Sequence, residues 1–399
     1  MNESTALKWS AFNLALLLLF ACSPYPRWLL PQGTYQVVFL LTTSLSLYYL
    51  SCEDLLVRIN SFRYVIAILL IVYIVYFSLP IIHRLILGYL GNGLLFLEIL
   101  FFSNLVYEKA YKILRKVFLY ICLSSLIVFV IHLVGISIPH FSIHPDWRTE
   151  NVLDNYHIYG PCISMYRGSS FSAGIERITG VFAEPGHFGI YLGLIMAINK
   201  FQFRTKTDYV YLVTGIFTFS TAFYGILTLG IIYRLITSRQ NKKDVYILII
   251  SLMMILPYAL LSPKLYEASI GRVISGREVS SVTSLVENRA TKGTVRRYDS
   301  FLQYGNSLFG EGENDGDIQC TNWRGGIYTW GYLGISIILF LLLSIARRGG
   351  WIYGGLLCAI VILVMSHRMY LIYSLGIMML VFAAVMVHSS DEFEYIHEQ

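Results

Sequence analysis

The chain has 399 residues, 56% of them hydrophobic and 14% charged, with a mean hydropathy of +0.61 and a formal charge of +6. That apolar fraction exceeds what a soluble core needs and comes in repeated long runs, which excludes an ordinary soluble domain and points to a polytopic membrane protein. In such a chain basic residues first set topology, so the positive charge carries no argument for nucleic-acid binding.

Met1 to Lys8 precede an apolar run from Trp9 to Cys22, short enough to resemble a signal-peptide core, and Leu19-Phe20-Ala21-Cys22 resembles a lipoprotein cleavage box. A retained first span is preferred. Further apolar runs occupy roughly 34–50, 64–81, 85–106, 117–138, 179–199, 209–237, 245–262, 327–346, 351–366 and 369–388. Short loops rich in Lys and Arg stay on the cytoplasmic side. Arg58 with Arg63 marks one such loop, and Lys109, Lys112, Arg115 and Lys116 mark the next. Lys200, Arg204 and Lys206, then Arg234, Arg239, Lys242 and Lys243, then Arg347 and Arg348 mark the others, while the opposite short loops hold only Arg27, Arg84 and Arg368. The asymmetry places two long polar segments, His140–Arg177 and Ser262–Gly326, outside.

Residues 209–237 lie between two basic flanks, so the chain must enter and return within them. At about 1.5 Å per residue, two helices of some fourteen residues each fall short of a roughly 30 Å core, which predicts two short or tilted spans or a re-entrant hairpin turning near 220–225. The expected fold is therefore all-α, with about twelve transmembrane helices and both ends cytoplasmic. Its parts are N-terminal spans in 1–138, a first outer loop at 139–178, central spans in 179–262 with the hairpin at 209–237, a second outer loop at 263–326, C-terminal spans in 327–388 and a tail at 389–399. No strong internal repeat is visible, which weakens an inverted-repeat transporter. Glu98, inside an apolar run with Asn92 and Asn104, keeps a transport path open as a rival, because an acid at that depth faces a bundle interior or a partner.

Six cysteines, Cys22, Cys52, Cys122, Cys162, Cys320 and Cys358, show no metal-ligand spacing. Cys162 and Cys320 fall in the two outer loops, where a disulfide is open to them only if their α-carbons approach within about 7 Å. His140, His144, Asp146 and His157 are spaced too irregularly for a metal site, and with Trp147, Tyr156, Tyr159 and Tyr166 they offer either sugar contacts or plain loop packing.

The second loop carries Lys264, Arg272, Arg277, Arg289, Lys292, Arg296 and Arg297, then turns acidic through Asp299, Glu311, Glu313, Asp315 and Asp317, with no base until Arg324. Tyr298, Phe301, Tyr304, Phe309 and Trp323 among Gly310, Gly312 and Gly316 argue for an ordered, functional segment. The first loop ends in Arg177-Ile178-Thr179-Gly180-Val181-Phe182-Ala183-Glu184-Pro185-Gly186-His187-Phe188-Gly189. Pro185 suits the first turn of a helix and Glu184 its positive end, with Gly186, Gly189 and Gly193 placed for close helix packing. Arg177, at the outer edge of a span, is placed to hold a lipid phosphate.

The pattern Arg177, Gly180, Phe182, Glu184-Pro185, Gly189 resembles the segment after the first large periplasmic loop of the O-antigen polymerase and ligase superfamily. Arg296-Arg297 through Phe301, Leu308-Phe309-Gly310-Glu311-Gly312 and then Gly331-Tyr332-Leu333-Gly334 resemble its second loop running into the next span. Ligases of that superfamily usually carry a histidine at a position falling near Cys320, with Asn322 close by; here no histidine occurs between His187 and His367, so the polymerase branch is favoured.

The resemblance implies a metal-independent, inverting glycosyltransferase without a cofactor, in the bacterial inner membrane with both large loops periplasmic. It implies transfer of a growing glycan from undecaprenyl pyrophosphate to the next lipid-linked repeat, with membrane lipids and a polysaccharide chain-length regulator as partners and no nucleic acid. The leaving diphosphate gains negative charge, which planar guanidinium forks meet with paired bonds. Arg177, Arg289, Arg296 and Arg297 are the expected pyrophosphate-binding residues, with Arg368 a second-tier candidate. Glu184, His187 and Asp299, with Glu176, are the candidates to accept the acceptor's proton. A ligase acting on lipid A core, or a flippase or transporter, is the alternative.

Overall fold

The computed structural model describes residues 4–22, 24, 27, 30, 33–57, 60–78, 87–143, 156–159, 164–167, 177–182, 184–237, 242–261, 292–312 and 323–388. They form fourteen helices and one three-stranded sheet. In chain order these are α1 (Thr5–Ala21), α2 (Thr34–Cys52), α3 (Ser61–Ser78), α4 (Leu87–Ile99), α5 (Asn104–Leu133), β1 (Phe141–Ile143), β2 (Tyr156–Tyr159), β3 (Ser164–Arg167), α6 (Pro185–Ile198), α7 (Lys206–Phe217), α8 (Thr221–Thr237), α9 (Lys243–Leu261), α10 (Lys292–Tyr304), α11 (Trp323–Arg348), α12 (Trp351–Arg368), α13 (Tyr370–Tyr373) and α14 (Gly376–His388). Four of them, α3, α5, α11 and α12, are long and apolar enough to cross a membrane, and α1, α4, α6, α8 and α14 are shorter apolar helices. The chain divides into two compact units, one of residues 1–22, 30–114 and 289–399, the other of residues 23–29 and 115–288.

In the first unit α2 packs between α1 and α4, α3 packs on α4 and α11, and α11 packs on α12 and α14. Its core is aromatic: the Phe77 ring lies 4.8 Å from Trp330 and 5.4 Å from Tyr373. Several helices here break, and each break releases carbonyls that need donors. Between α4 and α5 the donor is Arg63, read from the sequence as a topology-setting loop charge. It is instead 3% exposed, bonding the Leu100 and Phe102 carbonyls and approaching Asn104 Oδ1 at 3.4 Å. Lys109, Lys112, Arg115 and Lys116 likewise stand on a helix, α5, rather than in a loop. Between α13 and α14, Tyr73 donates to the Tyr373 carbonyl at 2.5 Å and Asn92 to that of Ser374 at 2.9 Å. This gives the intramembrane Asn92 a structural partner.

The largest break is inside α11, where Gly331 has φ 62° and ψ −177°. An intact helix would bond Tyr332 N–H to the Tyr328 carbonyl and Leu333 N–H to that of Thr329. Here the segment 307–312 supplies all four partners. Glu311 and Gly312 donate to the Tyr328 and Thr329 carbonyls at 2.8 and 3.0 Å, while Tyr332 and Leu333 donate to those of Ser307 and Leu308 at 2.9 and 3.0 Å. Tyr76 clamps the crossing by donating to the Trp330 and Phe309 carbonyls. Backbone passes this close to backbone only because Gly310 and Gly331 lack side chains: a Cβ on either would overlap the other strand.

In the second unit α6 is buried along its whole length. The run 209–237 forms parts of α7 and α8, joined at 218–220, so the chain turns ahead of most of the 220–225 stretch where the sequence places the turn. Gly189 and Gly193 let Ser220 and Ile226 of this hairpin approach α6. The first polar segment contains a sheet that the all-α reading did not include, with antiparallel order β1-β2-β3 and Ser142 opposite His157, itself opposite Tyr166.

Gly331→Ala should be destabilised by about 1–3 kcal/mol from the left-handed backbone alone, plus the overlap with Leu308. Gly355→Ala, which meets open space on α12, should be neutral. Thermal unfolding of the two purified variants checks this; equal melting temperatures would contradict the docked break.

Candidate functional site

At its basic end the second unit is laced by two carboxylates absent from the sequence-derived candidates. Asp208, on the first turn of α7, accepts from Arg115 Nη2 at 2.6 Å, Asn199 Nδ2 at 3.0 Å, and the Thr205 backbone and hydroxyl at 2.8 Å each. It thereby ties α5, the end of α6 and the start of α7 together. Asp244 does the same for α8 and α9, accepting from Arg234 Nη2 at 2.6 Å and Phe203 N–H at 3.2 Å. Arg115 and Arg234, read from the sequence as topology-setting charges, therefore serve as cross-links.

From this common floor helix length decides height. At about 1.5 Å per residue, α6 rises about 21 Å and α7 about 18 Å, while α5 rises about 27 Å between Arg115 and Leu133. By length alone α7 falls about 9 Å short of the end of α5.

Arg177 sits at that tip. The carbonyls at the end of α7 are satisfied one by one: Ile216 by the Tyr224 hydroxyl at 3.0 Å, Phe217 by Ile178 N–H at 3.4 Å, Thr218 by Arg177 Nε at 3.0 Å and Phe219 by Arg177 Nη2 at 2.6 Å. Phe219 has φ 47°, so its carbonyl turns out of the helix toward this cation. The guanidinium is half-buried and held in one place. Two of the five N–H donors a guanidinium carries are thus used on backbone, a structural duty that the sequence reading did not foresee.

Glu184 and His187 belong to the same unit. Glu184 is the N-cap of α6, with Pro185 beginning the helix, as the sequence indicated; its carboxylate makes no capping bond. His187, on the first turn, is 8% exposed, and its N–H bonds the Glu184 carbonyl at 3.0 Å. Thr179, 1% exposed, has a hydroxyl oxygen without a hydrogen-bond partner among the described residues. One turn further along α6, Gly189 faces Ser220 of the hairpin tip. The structure therefore brings Arg177 and the first turns of α6 to the same tip. Glu176 lies outside the described residues.

The sheet gathers further candidates. The His140 and His157 rings lie 4.1 Å apart, His140 is 5.4 Å from the Tyr159 ring, and the Tyr159 hydroxyl is 3.4 Å from His132 Nε2. His144, Asp146, Trp147, Cys162 and Cys320 lie outside the described residues. Of the remaining cysteines, Cys22 and Cys122 are buried and Cys358 is half-buried, in keeping with small apolar side chains within spans.

In the first unit Arg297 and Asp299 are both exposed on α10, on either side of the buried Tyr298. Arg296 lies on the same helix with its side chain outside the described part, and Arg289 lies outside the described residues. Arg368, read as a second-tier candidate, is 6% exposed and donates to the Tyr370 hydroxyl at 3.0 Å. Glu98 accepts from the Ser44 hydroxyl at 2.5 Å. Arg324, which the sequence reading passed over, is half-buried on the first turn of α11, its guanidinium carbon 5.3 Å from the Trp323 ring and 5.8 Å from that of Tyr298.

No protein-family model matches the chain, and neither a curated protein nor a solved structure matches it.

Burial, with the His140 and His132 imidazoles beside it, holds His157 below its ordinary value of 6.5. Below about pH 6.5 the unfolded segment then binds more protons than the folded sheet, so stability is full above that pH and falls as pH drops. Hydrogen exchange of residues 141–143 and 156–159, corrected for intrinsic rate, should be faster at pH 5.5 than at 7.5, and the difference should vanish in His157→Gln. Equal or greater protection at pH 5.5 would contradict this.

Proposed function

We propose that this protein is an integral membrane glycosyltransferase that polymerises lipid-linked oligosaccharide repeats on the outer face of the bacterial inner membrane. In this reading the chain crosses about twelve times, its basic ends face the cytoplasm, and both long polar segments are periplasmic. The observation that carries it is Arg177, an arginine fixed by backbone carbonyls at the tip of a short helical hairpin. With the basic end cytoplasmic, that tip faces outward and stops below the outer boundary of a roughly 30 Å core. A carrier lipid's diphosphate, anchored by its chain near the membrane surface, can settle onto a recessed cation more readily than it can rise to one in a distant loop.

The chemistry is a single displacement. An acceptor hydroxyl of the incoming lipid-linked repeat attacks the anomeric carbon of the growing glycan, forming a new C–O bond with inversion. The bond to the carrier's phosphate oxygen breaks, and its electron pair leaves with undecaprenyl pyrophosphate. The proton passes to a nearby base, for which Glu184, His187 and Asp299 are the candidates. The diphosphate gains charge as the bond breaks, and guanidinium groups already in place stabilise it without reorganising. Arg177 is assigned that role; Arg289, Arg296 and Arg297 are the further pyrophosphate-binding candidates that the sequence offers. Each charge-assisted bond contributes about 1.5–3 kcal/mol, so two that strengthen in the transition state speed the reaction by about two to four powers of ten.

Purified protein incubated with synthetic undecaprenyl-pyrophosphate-linked repeats should yield a ladder of glycans growing by one repeat, with one undecaprenyl pyrophosphate released per bond. Movement of the lipid-linked repeat across vesicles without change of length would instead mark a transporter. Transfer only to lipid A core would mark a ligase.

A further inference from the structure

Where α11 turns back into α12, the chain sets two cations beside a bare indole. Arg347 and Arg348 close the last turn of α11, Gly349 and Gly350 reverse the chain, and Trp351 opens α12. The reversal is tight: Gly349 N–H bonds the Ala346 carbonyl at 2.9 Å, and a Cβ on Gly354 would fall 2.1 Å from that same oxygen. Arg347 and Arg348 are both exposed, and Trp351 is 98% exposed. Among the described residues neither guanidinium has an ion pair or a hydrogen bond.

No counter-charge is built in beside them. From Ile318 to Ser390 the sequence holds no Asp or Glu, so α11, α12, α13 and α14 are without an acid. Arg348 instead feels the charge of another cation, the buried Arg63, which bonds the Leu100 and Phe102 carbonyls. Like charges gathered without an acid raise the local potential and draw an anion from outside. The surface leading to the turn is apolar. On α11 Phe340, Leu343 and Arg347 follow one another at three and then four residues, a single exposed stripe; on α12 Ile352 is exposed and Gly355 opens onto space. Both helices are long and apolar enough to cross a membrane, so the stripe meets acyl chains while the cation that ends it reaches the headgroups. Tryptophan suits the same level, where one side of the ring is apolar and the other wet.

We propose that Arg347 and Arg348, with Trp351, bind the headgroup of an anionic glycerophospholipid at the membrane surface where α11 turns into α12. Two uncompensated charges select an anionic headgroup over a zwitterionic one, and the apolar stripe beside Arg347 takes acyl chain, which a free phosphate lacks. The site lies wholly within the first unit. It needs only that α11 and α12 span the membrane, so it stands apart from the glycosyltransferase reading.

The test places the full-length protein in phosphatidylcholine vesicles carrying a minority of a brominated lipid, either phosphatidylglycerol or phosphatidylcholine, and reads tryptophan emission. Bromine quenches an indole that the lipid touches, and subtracting the emission of each protein's Trp351→Phe counterpart isolates Trp351. Brominated phosphatidylglycerol should quench Trp351 more strongly than brominated phosphatidylcholine, with a relative affinity of about tenfold or more, and Arg347→Gln/Arg348→Gln should bring that ratio to about one. Arg204→Gln/Lys206→Gln removes the same charge from exposed positions of the second unit and should leave the ratio unchanged. All these substitutions fall on exposed side chains, so wild-type melting temperatures are expected and are measured alongside. Equal quenching of wild-type Trp351 by the two lipids would overturn the proposal. An equal loss of preference in both double variants would overturn it too, reducing the site to the general attraction of a positive surface. A preference missing from the wild-type chain but gained in Asp391→Asn/Glu392→Gln/Glu394→Gln would make the acidic end of the chain the arginines' partner and overturn the lipid assignment.

Discussion

A carbonyl that leaves a helix inside hydrocarbon has no water to turn to, and this constraint orders much of the molecule. Four interruptions meet it in the same way, by drawing a donor from elsewhere in the sequence. Arg63 serves the break between α4 and α5; Tyr73 and Asn92 serve the one between α13 and α14; the segment 307–312, with Tyr76, serves the break at Gly331; Arg177 serves the hairpin tip. Each device ties together parts of the chain far apart in sequence, so satisfying the backbone and building the tertiary structure are one event. A buried carbonyl left without such a donor costs about 1–3 kcal/mol, a large share of the marginal stability of any fold.

The same constraint yields the candidate site. An arginine that only balanced charge could point anywhere, but one that must reach the Thr218 and Phe219 carbonyls is held in one place. The Asp208 and Asp244 knots tie the opposite ends of the helices together, and by length alone α7 is shorter than the stretch of α5 beyond Arg115. Fixed position and recess together are what an anion anchored by a lipid chain requires.

The sequence was most informative where hydrophobic runs and loop charges speak directly. Membrane character, the start of α6 at Pro185 with Glu184 as its cap, and the short hairpin within 209–237 all follow from local rules. The breaks were less legible. Ile99 to Asn104 reads as one apolar stretch because a helix and its interruption have the same composition, and Arg63 looks like any loop cation until its partners are known. Gly331 stood within a quoted motif, as did Gly310, but nothing local says that the two segments cross. Asp208 and Asp244 lie in basic flanks where acids seem incidental, although Thr205 with Asp208 is a capping-box spacing that marks the start of α7.

The central claim is that Arg177 stabilises charge that appears as the carrier diphosphate leaves. The most direct measurement is the rate of undecaprenyl pyrophosphate release by Arg177→Lys at saturating lipid-linked repeat, with its melting temperature taken in parallel. The account predicts that kcat falls by about a hundredfold or more while KM changes by less than about threefold, because the lost interaction strengthens only in the transition state. An unchanged kcat in a folded Arg177→Lys protein would contradict it.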